Sequence, residues 1–385
     1  MKTTPQTTAK SPISMASRPS KTNAANERIK REYFGYLAEA KGRDEATIDG
    51  VAKALARFEA SSRHRDFKRF HREQAVAFKR ELAEAANART GEKLSKATVH
   101  ATLRHLREFF FWLAHLPGFK AHIAYADADY FNLSDKDVAV ARARREKRVP
   151  TLDQVRHVLA AMPSATALER RDRALLAFAT LTGARVQALA SFRLGHVDLE
   201  GSFVEQDARE VQTKAAKSFR TYFMPVDEGA LGIVGEWVRE LERDHLWGRS
   251  DPLFPATEMG LGPDGGFVPV GLARRGWATS EPVREIFRRA FVGAGLPYSN
   301  PHSFRDMLVR HAMALDLSPE EMKAWSQNLG HADVLTTFTS YGQVPTHRQG
   351  ELIQGLSDKR RAAFVAANRE ELEVIERVLT RMKGR

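Results

Sequence analysis

Cysteine is absent from this chain of 385 residues. That excludes disulfides, a thiolate nucleophile and any Cys-ligated metal, and sends the search for chemistry to other side chains. A reducing compartment is compatible with this composition. Long apolar runs are also missing, and the mean hydropathy is -0.42, so no membrane span is expected. The sequence carries no internal repeat. Acidic residues are in the minority, 48 Asp and Glu against 60 Lys and Arg, for a formal net charge of +12. With a pI near 9.9, that balance favours a polyanionic partner such as nucleic acid. What is present, 43% hydrophobic and 28% charged residues, is the make-up of a globular protein long enough for two domains with separate cores.

Residues 1–25, rich in Thr, Ser, Lys and Ala and without apolar periodicity, are expected to form a disordered basic tail. They lack the amphipathic arginine face of an organelle transit peptide. Helical spacing then begins with Ile29, Tyr33 and Leu37 and continues with Ile48, Val51, Leu55 and Phe58. The clearest helix spans 95–116. Ser95 is its expected N-cap, and Val99, Leu103, Leu106, Phe110 and Leu113 form its apolar stripe. Lys96, His100, Arg104 and Arg107 share the opposite face, which is either solvated or set against phosphate. Together these helices make an expected domain over 26–133. Residues 134–150 run basic and end in Val-Pro, which disfavours helix at that junction, and are expected to be the interdomain linker. Its Arg142, Arg144, Arg145, Lys147 and Arg148 either keep the linker solvated or follow a DNA backbone.

A second domain is expected over 151–345. The pattern predicts helices at 152–162 and 170–181, a strand pair at 211–214 and 218–224, and a long irregular Gly/Pro-rich loop at 248–271. Helices return at 281–294, 300–316 and 319–328. Residues 346–385 are expected to be a helical tail, amphipathic from Arg369 through Leu372, Ile375, Leu379 and Met382, packing on its own domain or on a second protomer.

Chemistry concentrates in four stretches: LTGARVQALASF, PHSFRDMLVRHA, LGH and TTFTSYG. In the second, Asn300 is a candidate cap, Pro301 suits the first helical position, and Phe304, Leu308, Ala312 and Leu315 form a stripe to be buried. His302 and Arg305 then share another face, three residues apart, where both can reach one phosphate. Arg185 follows a predicted helix break at Thr182 and Gly183. Two guanidiniums can grip phosphodiester oxygens in a bidentate way that lysine cannot copy, and would neutralise charge building on a five-coordinate phosphorus. Tyr341 is the candidate nucleophile, with a phenol that must lose its proton to attack. His302 is the matching proton acceptor. His331 either donates to a phosphate oxygen or serves only as a helix C-terminal cap. Each residue alone is ordinary; their company is the signal.

The order Arg185, Lys214, His302, Arg305, His331, Tyr341, carried by TGAR, HSFR, LGHAD and a tyrosine ten positions after the LGH histidine, resembles the tyrosine recombinases of the phage-integrase family. The likeness runs from about Arg148 to Val344. The region before it is similar to the family's core-binding domain, most clearly in LSKATVHATLRHLREFFFWL. The resemblance implies a mainly α fold with a small β-sheet: an N-terminal SAM-like helical domain and an α+β catalytic domain closing as a C-shaped clamp on double-stranded DNA. It implies a site-specific recombinase or integrase working through a 3′-phosphotyrosyl intermediate, with no metal, ATP or other cofactor. Lys214 would be the general acid, with Lys217 close enough to compete. Four protomers would act on paired sites, the free protein being a monomer or weak oligomer in the cytoplasm with the nucleoid, away from membranes. The alternatives are a type IB topoisomerase, which would relax DNA, or a DNA-binding regulator with a dead site. A metal-dependent nuclease is disfavoured by the lack of a compact Asp/Glu/His cluster. One departure stands out, because Ala188 occupies a position where many relatives carry Glu.

Overall fold

The computed structural model describes residues 22–88, 90–143, 148–212, 217–331, 335–337, 344, 348–353 and 355. Two compact units divide the chain, residues 1–145 and 146–385.

In the first unit, helices α1 (Ala24–Gly35), α2 (Glu45–Ser61), α3 (Arg72–Glu84), α4 (Lys96–Leu113), α5 (Tyr125–Asp129) and α6 (Asp135–Arg142) follow in order. Asn23 starts α1 by accepting from the backbone N–H groups of Ala25 and Asn26, which places the first turn inside the stretch expected to be tail. Ser95 caps α4 as expected, its Oγ accepting from Thr98 N at 3.2 Å. The entire predicted stripe from Val99 to Leu113 is buried. Phe110 is the hub of the core, stacked on Phe70 with ring centroids 3.9 Å apart and edge-on to Phe58 at 5.2 Å. Such ring pairs add about 0.5–1.5 kcal/mol each beyond their buried area. Asn26 is fully buried among them, donating to Glu59 and the Arg65 carbonyl and accepting from Phe67 N, so it fixes α1 against α2 without an unsatisfied polar group.

The second unit contains α7 (Leu152–Ala161), α8 (Ala167–Thr182), α9 (Val186–Ser191), β1 (Val197–Asp198), β2 (Phe203–Gln206), β3 (Phe219–Tyr222), α10 (Glu228–Arg243), β4 (Thr257–Leu261), β5 (Phe267–Leu272), α11 (Glu281–Gly293), α12 (Ser303–Ala314) and α13 (Pro319–Asn328). The central element is α8, buried on all sides from Ala174 to Thr182. Against it lies α10, clamped by a two-pronged ion pair from Arg170 to Glu240 at 2.7 and 2.9 Å. The small sheet runs in the order β1-β2-β3, antiparallel, with Phe203 opposite Tyr222 and Gln206 opposite Phe219. Among the described residues no helix is long and apolar enough to cross a membrane.

Four expectations need correction. The first half of the expected linker is helical: α6 is capped by Ser134 and tied to α4 by the Lys96–Asp137 ion pair at 3.1 Å. β3 pairs with 203–206; of the expected strand 211–214, residues 211 and 212 lie in no strand and 213 and 214 lie outside the described residues. Asp207 turns the chain by accepting from the N–H groups of Glu210 and Val211, and Val211 is buried at that turn. Within 248–271, expected to be irregular, β4 and β5 form a hairpin; Gly265 N donates to Gly262 O across Pro263-Asp264, and Gly265 takes φ +74°. Finally, α12 starts at Ser303, after a turn in which Asn300 Oδ1 accepts from Ser303 N at 3.2 Å, and it ends before Leu315, which is exposed.

Candidate active site

Helix α8 ends where Gly183 takes φ +56°, a left-handed turn that ordinary residues resist. A Cβ at this position would also come within 2.9 Å of both Leu308 and Leu329, so glycine is required twice. Thr182 Oγ1 closes the turn, donating to Phe178 O and accepting from Ala184 N. The turn delivers Arg185, half-buried, to the N-cap of α9. Ala188, three residues after Arg185, is buried in α9.

Arg305, in the first turn of α12, is only 2% exposed. Its Nη1 donates to the Gly183 carbonyl at 2.7 Å and its Nη2 to the Leu329 carbonyl. Both acceptors lie at helix C-termini, where unpaired carbonyls and the helix dipole favour a cation. A buried guanidinium is thereby oriented by backbone. His302, at the N-cap of α12, is exposed.

The end of α13 is a full Schellman turn: Gly330 N donates to Gln327 O and His331 N to Ser326 O, with Gly330 at φ +70°. His331 emerges buried, its Nε2 2.9 Å from Arg305 Nη2 and its Nδ1 2.8 Å from Thr337 Oγ1. Burial, reinforced by the nearby Arg305, Arg185 and His302, pushes its pKa down to about 4. That electrostatic coupling sets the neutral His331 ring among Arg305, Arg185 and His302, residues drawn from three distant segments. The His331 backbone N–H caps α13 through Ser326 O, and its ring lies within hydrogen-bond distance of Arg305 and Thr337.

Strand β3 is sewn to the same place. Asn328 Oδ1 accepts from Tyr222 N at 2.7 Å, its Nδ2 donates to Tyr222 O at 2.8 Å, and Thr221 Oγ1 donates to Asn328 O at 3.0 Å. The connection leading into β3 includes Lys217, which is exposed. Lys214 and Tyr341 lie outside the described residues, as do Arg144, Arg145 and Lys147. Sequence reasoning passed over Asn328, Ser326 and Thr337, although Thr337 stands in the TTFTSYG stretch that was singled out.

The basic face of α4 is largely paired within its own unit: Lys96 with Asp137, Arg104 with Glu108 at 3.9 Å, and Arg107 with Asp129 at 2.9 Å. His100 is half-buried, and Arg142 and Arg148 are exposed. Exposed pairs of this kind contribute little, about 0–1 kcal/mol, and a phosphate can displace their carboxylates.

Residues 148–348, over half of the chain, match the sequence model of the phage integrase family. The chain belongs to that family. It is similar to the tyrosine recombinase XerD of Neisseria meningitidis serogroup A, 28% identical over 216 residues. That match covers 55% of this chain but only 63% of the relative's length. It is also similar to the tyrosine recombinase XerC of Xylella fastidiosa, 25% identical over 86% of this chain and 96% of the relative. Among solved structures, a lambda integrase (residues 75–356) dimer bound to a COC′ core site has the same fold, with TM-score 0.55, 15% identity, and coverage of 82% of this chain and 96% of that one.

Proposed function

We propose that this protein is a site-specific DNA recombinase that cuts and rejoins duplex DNA through a covalent tyrosine link. The observation that carries the reading is the buried Arg305, pinned by two helix-end carbonyls with the neutral His331 ring against it, and Arg185 and His302 near enough to lower that ring's pKa. A phosphodiester placed there meets fixed positive charge of the kind that stabilises a five-coordinate phosphorus.

In this reading Tyr341 Oη attacks phosphorus, its proton passing to His302, and the bond from phosphorus to the 5′ oxygen breaks. Lys214 hands the departing oxygen its proton. The 3′-phosphotyrosyl diester retains the energy of the bond it replaced, so attack by another 5′ hydroxyl reseals the strand without ATP. Positive side chains carry the electrostatic load. The first unit, as a core-binding domain, and the basic residues from Arg142 to Arg148 contact the duplex backbone. Exchange between two sites engages four protomers, with residues 346–385 docking between neighbours. A DNA substrate of this kind places the protein in the cytoplasm at the nucleoid.

The test is covalent trapping on genomic DNA followed by sequencing of the protein-linked 3′ ends. Adducts should form in the presence of chelator, map to defined sites, and vanish in Tyr341→Phe while DNA binding persists. Adducts that survive denaturation in Tyr341→Phe, or cleavage that requires Mg²⁺, would overturn the assignment; relaxed circles without joined sites would indicate a topoisomerase.

A further inference from the structure

Three hydrogen bonds link four side chains in single file. Arg305 Nη2 lies 2.9 Å from His331 Nε2, His331 Nδ1 lies 2.8 Å from Thr337 Oγ1, and Thr337 Oγ1 lies 2.7 Å from Ser326 Oγ. His331, Thr337 and Ser326 are all buried. One end of the file sets the direction of the rest. A guanidinium has N–H donors and no acceptor, so His331 Nε2 must accept. A neutral imidazole carries its single proton on the other nitrogen, so Nδ1–H donates to Thr337 Oγ1. The Thr337 hydroxyl, accepting there, turns its own hydrogen toward Ser326 Oγ. The geometry of that last contact independently makes Thr337 the donor and Ser326 the acceptor. The ring is neutral near pH 7, because burial and the surrounding cations disfavour the imidazolium.

We propose that Thr337, backed by Ser326, is a positioning residue that holds His331 in the Nδ1–H tautomer, so that the imidazole works through Arg305, fixing the plane of its guanidinium. In water the Nε2–H form of histidine is the more stable one. The buried hydroxyl reverses that preference by offering an acceptor where Nδ1–H needs one. With the oxygen removed, Nδ1–H is buried without an acceptor, and the ring escapes that cost by taking the Nε2–H form, which points an N–H group at the N–H of Arg305. Two donors then face each other, and Arg305 loses one of the contacts that orient it.

The consequence for catalysis rests on the recombinase reading; the tautomer does not. Nitrogen-15 NMR of the histidine-labelled full chain near pH 7.5 reads the tautomer directly, with the His331 signals identified by their loss in His331→Gln. The expected wild-type spectrum has a protonated Nδ1 and a bare Nε2, unchanged in Thr337→Ser and reversed in Thr337→Val. Single-turnover cleavage should fall on the order of 10-fold or more in Thr337→Val, the scale seen when the partner of a functional imidazole is removed, and stay near parental in Thr337→Ser. A protonated Nε2 in the wild type, or Thr337→Val that keeps Nδ1–H or cleaves at the parental rate, overturns the proposal. If Thr337→Val does not fold, the wild-type and Thr337→Ser spectra still decide the tautomer. A wild-type chain with the expected tautomer and no cleavage of any DNA would sink the recombinase reading and leave the hydrogen-bond assignment standing.

Discussion

The ring of Phe219 lies so close to Gly330 that a Cβ on the glycine would stand 2.5 Å from Phe219 Cζ. Strand β3 and the Schellman turn that delivers His331 therefore meet with no room between them. Gly330→Ala should cost at least about 1–3 kcal/mol, combining a left-handed backbone with a clash. Urea unfolding measures the loss, and Phe219→Leu in the same chain should recover part of it. An unchanged midpoint in Gly330→Ala would mean that the turn is not built as described.

Arg305→Lys should lower the cleavage rate on the order of 10²- to 10³-fold while duplex affinity changes far less. An ammonium cannot span the Gly183 and Leu329 carbonyls and also face His331, because it lacks the planar fork. Arg185→Lys should show a loss of similar size. Near-parental single-turnover rates in either variant would remove that arginine from the phosphate.

For Lys214→Ala, cleavage should be lost on ordinary DNA and restored on a substrate whose bridging 5′ oxygen is replaced by sulfur, since a thiolate departs without an acid. Lys217, exposed at the approach to β3, is the control. If its alanine variant shows the rescue instead, the acid is Lys217.

The depressed pKa of His331 makes stability depend on pH with a definite sign. Between its ordinary value of 6.5 and the folded value of about 4, the unfolded chain takes up a proton that the folded chain refuses. Stability from this group is therefore complete above pH 6.5 and is lost as the pH falls toward 4. From pH 7.5 to pH 5 the wild type should lose on the order of 2 kcal/mol more than His331→Gln in urea titrations. Parallel losses in the two proteins would show that the ring is not held neutral.

Helices α4, α11 and α13 were legible because each presents apolar residues at spacings of three and four, and each falls close to where that spacing predicts. Helix α10 was passed over; Gly229, Gly232 and Gly235 dilute its helix propensity, although Val234, Trp237, Val238 and Leu241 are all buried. The β4–β5 hairpin escaped because its residues are exposed on both faces, so no alternation of apolar and polar positions marks the strands. At the site, the charged side chains announced themselves through their chemistry. What orients them did not, since Gly183 and Leu329 act through carbonyl oxygens that every residue possesses. Thr337 was hidden for a related reason, because a hydroxyl with no nearby partner in sequence reads as surface decoration.

Arg305 is bonded to a carbonyl 122 positions earlier in the chain and to another 24 positions later. A polypeptide emerging from the ribosome thus carries Arg185 and Arg305 well before the Leu329 carbonyl and the His331 ring exist to hold the second guanidinium, and the tyrosine comes ten residues later still. Synthesis order therefore completes the candidate site late, with only residues 342–385 still to come, so a chain broken off before residue 331 lacks both the His331 ring and the candidate nucleophile.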